Sequence, residues 1–157
     1  MIVYADASAL VKRYVAEFRS DEVVALTAEA VAVGTSLISR AEVSAALARA
    51  VRSGVVDENG GRRAQRRFTR EWPHLARVSV TEALVGRAET LAWEYGLRGY
   101  DAVQLASAFM WRDGLGQDVL MATFDRELWE ASSQAGFNTW PEQSPSPGSK
   151  RTRRPIS

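Results

Sequence analysis

The sequence predicts an α/β domain, a three-layer α/β/α sandwich around a central, mainly parallel sheet. Short apolar runs alternate with longer segments of helical periodicity, the pattern of strands joined by helical crossovers. The length of 157 residues suits one domain with a full core. No internal repeat interrupts this order.

The elements follow in sequence. Ile2–Tyr4 is a compact β-like run that leads to Asp6. Ser8 is placed to cap a helix carrying Leu10, Val11, Tyr14 and Val15 on one face. Ser20, Asp21 and Glu22 open a second helix, with the acids where the helix dipole favours them. Val31–Ser36 is a second strand. Ser39 begins a helix with Glu42 in capping-box spacing, and Gly54 stops it. Residues 57–72 form an arginine-rich helix closed by Pro73. Arg77–Val80 is a third strand, and Thr81 opens a helix that runs to Tyr95 and ends at Gly96. Asp101–Arg112 is an apolar helix, Val119–Thr123 a fourth strand, and Asp125–Ala135 a last helix broken by Gly136. Phe137–Trp140 makes an edge strand. The domain is therefore expected over residues 1–140, with a disordered basic tail over 141–157, where prolines, serines and basic residues dominate.

Composition narrows the chemistry. Hydrophobic residues make up 46% and charged residues 25% of the chain, and no apolar run approaches the roughly 20 residues that span a bilayer. No basic segment or cleavage site accompanies the first strand, so a cytoplasmic protein with no membrane association is expected. The absence of cysteine removes thiol nucleophiles, iron–sulfur clusters and thiolate zinc sites. The single histidine, His74, lacks a paired carboxylate in its surroundings and reads as a loop residue. The net charge of +1 conceals an asymmetry: without Lys150, Arg151, Arg153 and Arg154, 16 basic residues face 19 acidic ones, a formal −3.

Asp6 and Asp125 follow the ends of the first and fourth strands, on one edge of the sheet if the strands are parallel. Glu42 and Asp101 lie in first turns of helices that begin near that edge. In open α/β sheets this edge holds the ligand site. Each acid has a structural alternative: Asp6 as a cap, Glu42 as half of a capping box, Asp101 and Asp125 as first-turn acids. Together, four converging carboxylates repel one another unless they share protons or bind a cation. Oxygen-only ligands favour Mg2+ or Mn2+ over zinc. Such a cluster supports phosphodiester hydrolysis well.

Four segments carry a resemblance: Val3-Tyr4-Ala5-Asp6-Ala7-Ser8-Ala9-Leu10, Ser39-Arg40-Ala41-Glu42-Val43, Tyr100-Asp101-Ala102-Val103-Gln104-Leu105-Ala106 and Ala122-Thr123-Phe124-Asp125. In this order and spacing, over roughly residues 1–140, the chain resembles the PIN-domain ribonucleases, and among them the small VapC toxins of bacterial toxin–antitoxin pairs. The resemblance implies a PIN-like fold, Mg2+- or Mn2+-dependent endoribonuclease activity on RNA, inhibition by a cognate antitoxin and usually a homodimer. It places Asp6, Glu42, Asp101 and Asp125 at the family's acidic positions. Asp6 and Asp101 are then the foremost metal ligands, with Glu42 and Asp125 binding through water or completing a second ion site. Ser8 and Thr123 match small hydroxyl positions that steady a ligand carboxylate or water.

Two rival functions remain open: a non-catalytic α/β RNA- or partner-binding module, and a phosphatase acting on a small ester. Arg62, Arg63, Arg66, Arg67 and Arg70 make one helical face basic, either to bind RNA phosphates or to pair with acids such as Glu71. Core packing accounts for most of the apolar surplus at Val11, Tyr14, Val15, Val23, Val24 and Leu26, and the resemblance implies a groove for an antitoxin helix for the rest.

Overall fold

In the computed structural model, which describes residues 1–146, five strands form one sheet. They are β1 (Ile2–Ala5), β2 (Ala32–Ser36), β3 (Ala76–Val78), β4 (Leu120–Ala122) and β5 (Asn138–Trp140). Their order is β3-β2-β1-β4-β5 and every pairing is parallel, so the expected mainly parallel sheet is wholly parallel. Seven α-helices connect and flank the strands: α1 (Ala7–Leu10), α2 (Ser20–Glu29), α3 (Ser39–Arg52), α4 (Glu58–Glu71), α5 (Glu82–Tyr95), α6 (Gly99–Leu115) and α7 (Arg126–Gln134).

Strand alternation creates the three layers. Tyr4 and Met121 point to one face and pack with Leu84 and Leu91 of α5, Leu105 of α6 and Leu128 of α7. Val3, Ala5 and Ala122 point to the other and meet Leu10 of α1, Val43 and Leu47 of α3, and Phe68 of α4. The chain builds outward from β1 through β2 to β3, then returns to place β4 on β1's other side. The C-terminal ends of β1 and β4 therefore flank the topological switch point, where open α/β sheets bind ligands.

Several local expectations change. Asp6, not Ser8, caps α1: its side chain accepts from the Ala9 N–H, and Ser8 lies inside the helix. Helix α1 is a single turn, continued by a 3-10 turn over Val11–Arg13. The cap position before Ser20 is held by Arg19 in the left-handed region, with φ 64°. Ser39 makes no capping bond; its hydroxyl turns inward to Thr35 and Gln104, which frees Glu42 from any capping box. Helix α6 starts at Gly99, two residues before Asp101, and Asp125 caps α7 instead of opening it. Of the apolar surplus near the N-terminus, Val15 and Val23 are buried, and Val11, Tyr14 and Leu26 pack on the core. Val24 stays exposed. The expected tail lies, from residue 147 onward, outside the described residues.

Candidate active site

Asp6, Glu42, Asp101 and Asp125 line one cleft of about 410 Å³ at the C-terminal edge of the sheet. Four separate elements deliver them. The end of β1 carries Asp6, the first turn of α3 Glu42, the first turn of α6 Asp101, and the turn after β4 Asp125.

Asp6 is the most constrained. It is buried, and its Oδ1 accepts from Ser8 Oγ at 2.7 Å and from the Ala9 N–H at 3.0 Å. Its Oδ2 accepts from Thr123 Oγ1 at 2.9 Å. Both hydroxyls also tie the β4–α7 turn to this carboxylate: Ser8 Oγ accepts from the Phe124 N–H at 2.8 Å, and Thr123 Oγ1 from the Asp125 N–H at 3.1 Å. A carboxylate has about four acceptor sites, and these contacts occupy three, leaving capacity on Oδ2. Burial pushes the Asp6 carboxyl up to about 7, against the pull of its hydrogen bonds.

Glu42 accepts from the Gln104 amide at 2.8 Å, and partial burial raises its pKa. Gln104 is itself buried; its amide also donates to Ser39 Oγ at 2.9 Å, and its carbonyl oxygen accepts from the Tyr4 hydroxyl at 2.6 Å. Burial, and then the charge of Asp125, push Asp101 up to about 6 although Arg98 opposes the shift. Asp125 accepts from the Leu128 N–H at 2.9 Å through Oδ1 and from Arg98 at 3.0 Å through Oδ2.

The four carboxylates offer only oxygen donors, the chemistry a hard divalent cation prefers, and burial raises the pKa of Asp6 and Asp101, so keeping them ionised calls for a compensating positive charge. Among the described residues, no three acids are grouped so that they could clasp one ion by themselves. A hard divalent ion held by these carboxylates would draw its remaining oxygen ligands from water.

Three basic residues that sequence reasoning passed over also line the cleft: Lys12, Arg49 and Arg98. Lys12 pairs with Glu17 at 3.3 Å and lies over the Phe124 ring. Gln104 was passed over too; its place one helical turn after Asp101 was the available signal. The five arginines of α4 do not reach the cleft lining. Arg62 pairs with Glu58 and Arg67 with Glu71, each at 2.9 Å. Arg63, Arg66 and Arg70 are exposed, with no ion pair among the described residues. His74 is exposed, and it closes a 3-10 turn over Trp72–His74 where a loop was expected.

A wholly parallel α/β sheet with four carboxylates gathered at its switch point defines an α/β protein whose ligand cleft lies at the C-terminal edge of the strands. The PIN-domain family model matches residues 3–132, and the chain belongs to that family. Ribonuclease VapC45 and Ribonuclease VapC49, from two strains of Mycobacterium tuberculosis (CDC 1551 / Oshkosh and ATCC 25618 / H37Rv), are each 35% identical to it over 142 residues. Those alignments cover 90% of this chain and 96% of each relative. In fold, the chain is similar to a toxin-antitoxin complex from Klebsiella pneumoniae, with a TM-score of 0.64 and 16% identity over 90% of this chain and 98% of that one. It is also similar to FitAcB from Neisseria gonorrhoeae, with a TM-score of 0.59 and 15% identity over 88% and 96% of the two chains.

Proposed function

We propose that this chain is a Mg2+- or Mn2+-dependent endoribonuclease, the toxin of a toxin–antitoxin pair, acting in the cytoplasm through a domain over residues 1–140. The observation that carries this is the single cleft shared by Asp6, Glu42, Asp101 and Asp125. Family membership and the two ribonuclease relatives support RNA as the substrate. The lack of any helix long and apolar enough to cross a membrane, among the described residues, is compatible with this location.

Asp6 and Asp101 are assigned as direct ligands of the ion, and Glu42 and Asp125 as acceptors for its water or for a second ion. Ser8 and Thr123 hold Asp6 in place and keep its orientation fixed to the β4–α7 turn. Gln104 does the same for Glu42. A bound divalent ion supplies Lewis acidity, making an attacking water more acidic and neutralising charge that develops on the phosphate. Arg49, exposed on the cleft wall, offers positive charge for the substrate backbone.

A cognate antitoxin and a second copy of the chain are the proposed protein partners. Exposed Val85 and Trp93 on α5 and Tyr100 on α6 are apolar surface that a protein partner would cover. Arg63, Arg66 and Arg70 are proposed to contact RNA outside the cleft.

The test is cleavage of RNA by the full chain with Mg2+ or Mn2+. Activity should vanish with EDTA and in folded Asp6→Asn and Asp101→Asn variants. Cleavage that survives EDTA overturns the metal mechanism. Tight RNA binding without turnover favours a non-catalytic binding module instead.

A further inference from the structure

Arg98 occupies the N-cap position of α6, three residues before Asp101, and its side chain is 72% exposed. One guanidinium nevertheless spans two of the five acids that line the cleft. Its Nε donates to Asp101 Oδ2 at 3.2 Å and its Nη2 to Asp125 Oδ2 at 3.0 Å, with Glu127 at 3.9 Å. It therefore engages one oxygen of each of two carboxylates that are proposed to serve a divalent cation. The guanidinium faces solvent while its partners Asp101 and Asp125 are only 14% and 26% exposed, so the cation is the member of each pair that is free to leave into water.

Position gives Arg98 a second option. It lines the acidic cleft and also the neighbouring apolar groove between α5 and α6, so it stands on the rim that joins them. A guanidinium is a planar fork of five donors that matches phosphate as well as carboxylate. A divalent ion held by Asp101 and Asp125 would neutralise the charge that holds Arg98 and would leave the guanidinium free to pair elsewhere. The nearest new anion is a substrate phosphate entering the cleft.

We propose that Arg98 exchanges partners during the reaction cycle. In the metal-free protein it holds Asp101 and Asp125; with the ion bound it turns to a phosphate oxygen of the RNA. This rests on the ribonuclease function proposed above. It makes Arg98 a competitor for the metal and a binder of the substrate, and those roles predict effects of opposite sign.

The experiment compares the full-length chain with Arg98→Gln and Arg98→Lys. Mn2+ binding is titrated by electron paramagnetic resonance without RNA. Single-turnover cleavage of a short single-stranded RNA, at saturating Mn2+ and several salt concentrations, gives the enzyme concentration for half-maximal rate. R98Q should bind Mn2+ about two- to fivefold more tightly, the gain from losing competing exposed ion pairs. Its half-saturating concentration should rise about tenfold, from loss of a charge-assisted phosphate contact. The slope of log affinity against log salt should shrink by about 0.7, one phosphate contact to a single strand. R98K should keep that slope and recover part of the affinity. Weaker Mn2+ binding by R98Q would show that Arg98 only organises the carboxylates, and overturns the proposal. So does an unchanged half-saturation with an unchanged salt slope. A wild-type chain that binds Mn2+ and cleaves no RNA instead overturns the ribonuclease function, which separates the two failures.

Discussion

Gln104 holds Glu42 at 2.8 Å from inside α6, and the same side chain accepts the hydroxyl of Tyr4 at 2.6 Å. A cleft carboxylate is thus tied to the centre of β1 through one buried amide. Gln104→Leu strands the Tyr4 hydroxyl without its acceptor and releases Glu42. An unsatisfied buried group of this kind costs about 1–3 kcal/mol. The urea unfolding midpoint should drop accordingly, and RNA cleavage should fall with it. Tyr4→Phe, which removes the donor, should cost less stability than Gln104→Leu and leave Glu42 held.

Asp6 makes the metal-free protein sensitive to pH. Its carboxyl titrates near 3.8 when unfolded and at about 7 when folded, because burial disfavours the charged form. Between those values the folded state holds the extra proton. This contribution is complete below the unfolded value and is lost as pH rises through about 7. Asp101, raised to about 6, adds to the same trend. Without metal, the melting temperature should fall as pH rises from about 5 to about 8, and Asp6→Asn should flatten the slope. If Asp6 and Asp101 hold a metal ion as proposed, it would compete with these protons, and Mn2+ affinity should weaken as pH drops through the same window. A pH-independent melting temperature for the metal-free wild type would contradict this assignment.

Thr123 serves Asp6 with its proton and Asp125 with its lone pair. Thr123→Val keeps the shape and deletes both interactions, whereas Thr123→Ser retains them. Outer-shell changes of this type cost about 10–100-fold in metal affinity or activity. Mn2+ titration should place Thr123→Val in that range and Thr123→Ser close to wild type. Equal losses in both variants would assign the effect to packing.

Much of this was legible in the sequence, for local reasons. Asp6 and Asp125 follow apolar runs whose strand character needs no tertiary information, so their arrival at one sheet edge follows from parallel topology. The role of Ser39 was not legible. Its spacing to Glu42 satisfies a capping box, but buried Gln104 and Thr35 compete for its hydroxyl, and burial favours the inward bonds. Arg98 escaped notice for a similar reason. Its partners lie 3 and 27 residues away, and only the first is a helical neighbour. For α1 the sequence offers both Ser8 and Asp6 as caps, since both residue types cap well, and the structure selects Asp6, whose Oδ1 accepts from the Ala9 N–H.

The basic face of α4 divides into paired and unpaired members. Arg62 and Arg67 have helical partners at Glu58 and Glu71, while Arg63, Arg66 and Arg70 have none among the described residues. Replacing the unpaired trio with Gln should leave the melting temperature almost unchanged and reduce the salt dependence of RNA binding. Each lost phosphate contact lowers the slope by about 0.7. Replacing Arg67, which also donates to the Arg13 carbonyl at 3.2 Å, should affect stability more than RNA binding. An unaltered salt slope in the triple variant would show that this face is solvated and not an RNA contact.

Gly34 sets how closely α6 can approach the sheet. It pairs with Tyr4 across β1 and β2, and a Cβ at this position would come within 2.5 Å of the Trp111 ring. The indole therefore lies where any other residue's side chain would begin. It also approaches Tyr4, at 6.5 Å between ring centroids. Helix α6 carries both Asp101 and Gln104, so its seat on Gly34 bears on the geometry of the cleft. Overpacking a filled core costs about 1–3 kcal/mol. Gly34→Val should lower stability by that amount and displace Trp111, visible as a change in near-ultraviolet circular dichroism. Gly34→Val combined with Trp111→Leu should recover part of the loss, because the smaller side chain vacates the space. Failure of the second change to restore any stability would place the cost in the strand and not in the contact with α6.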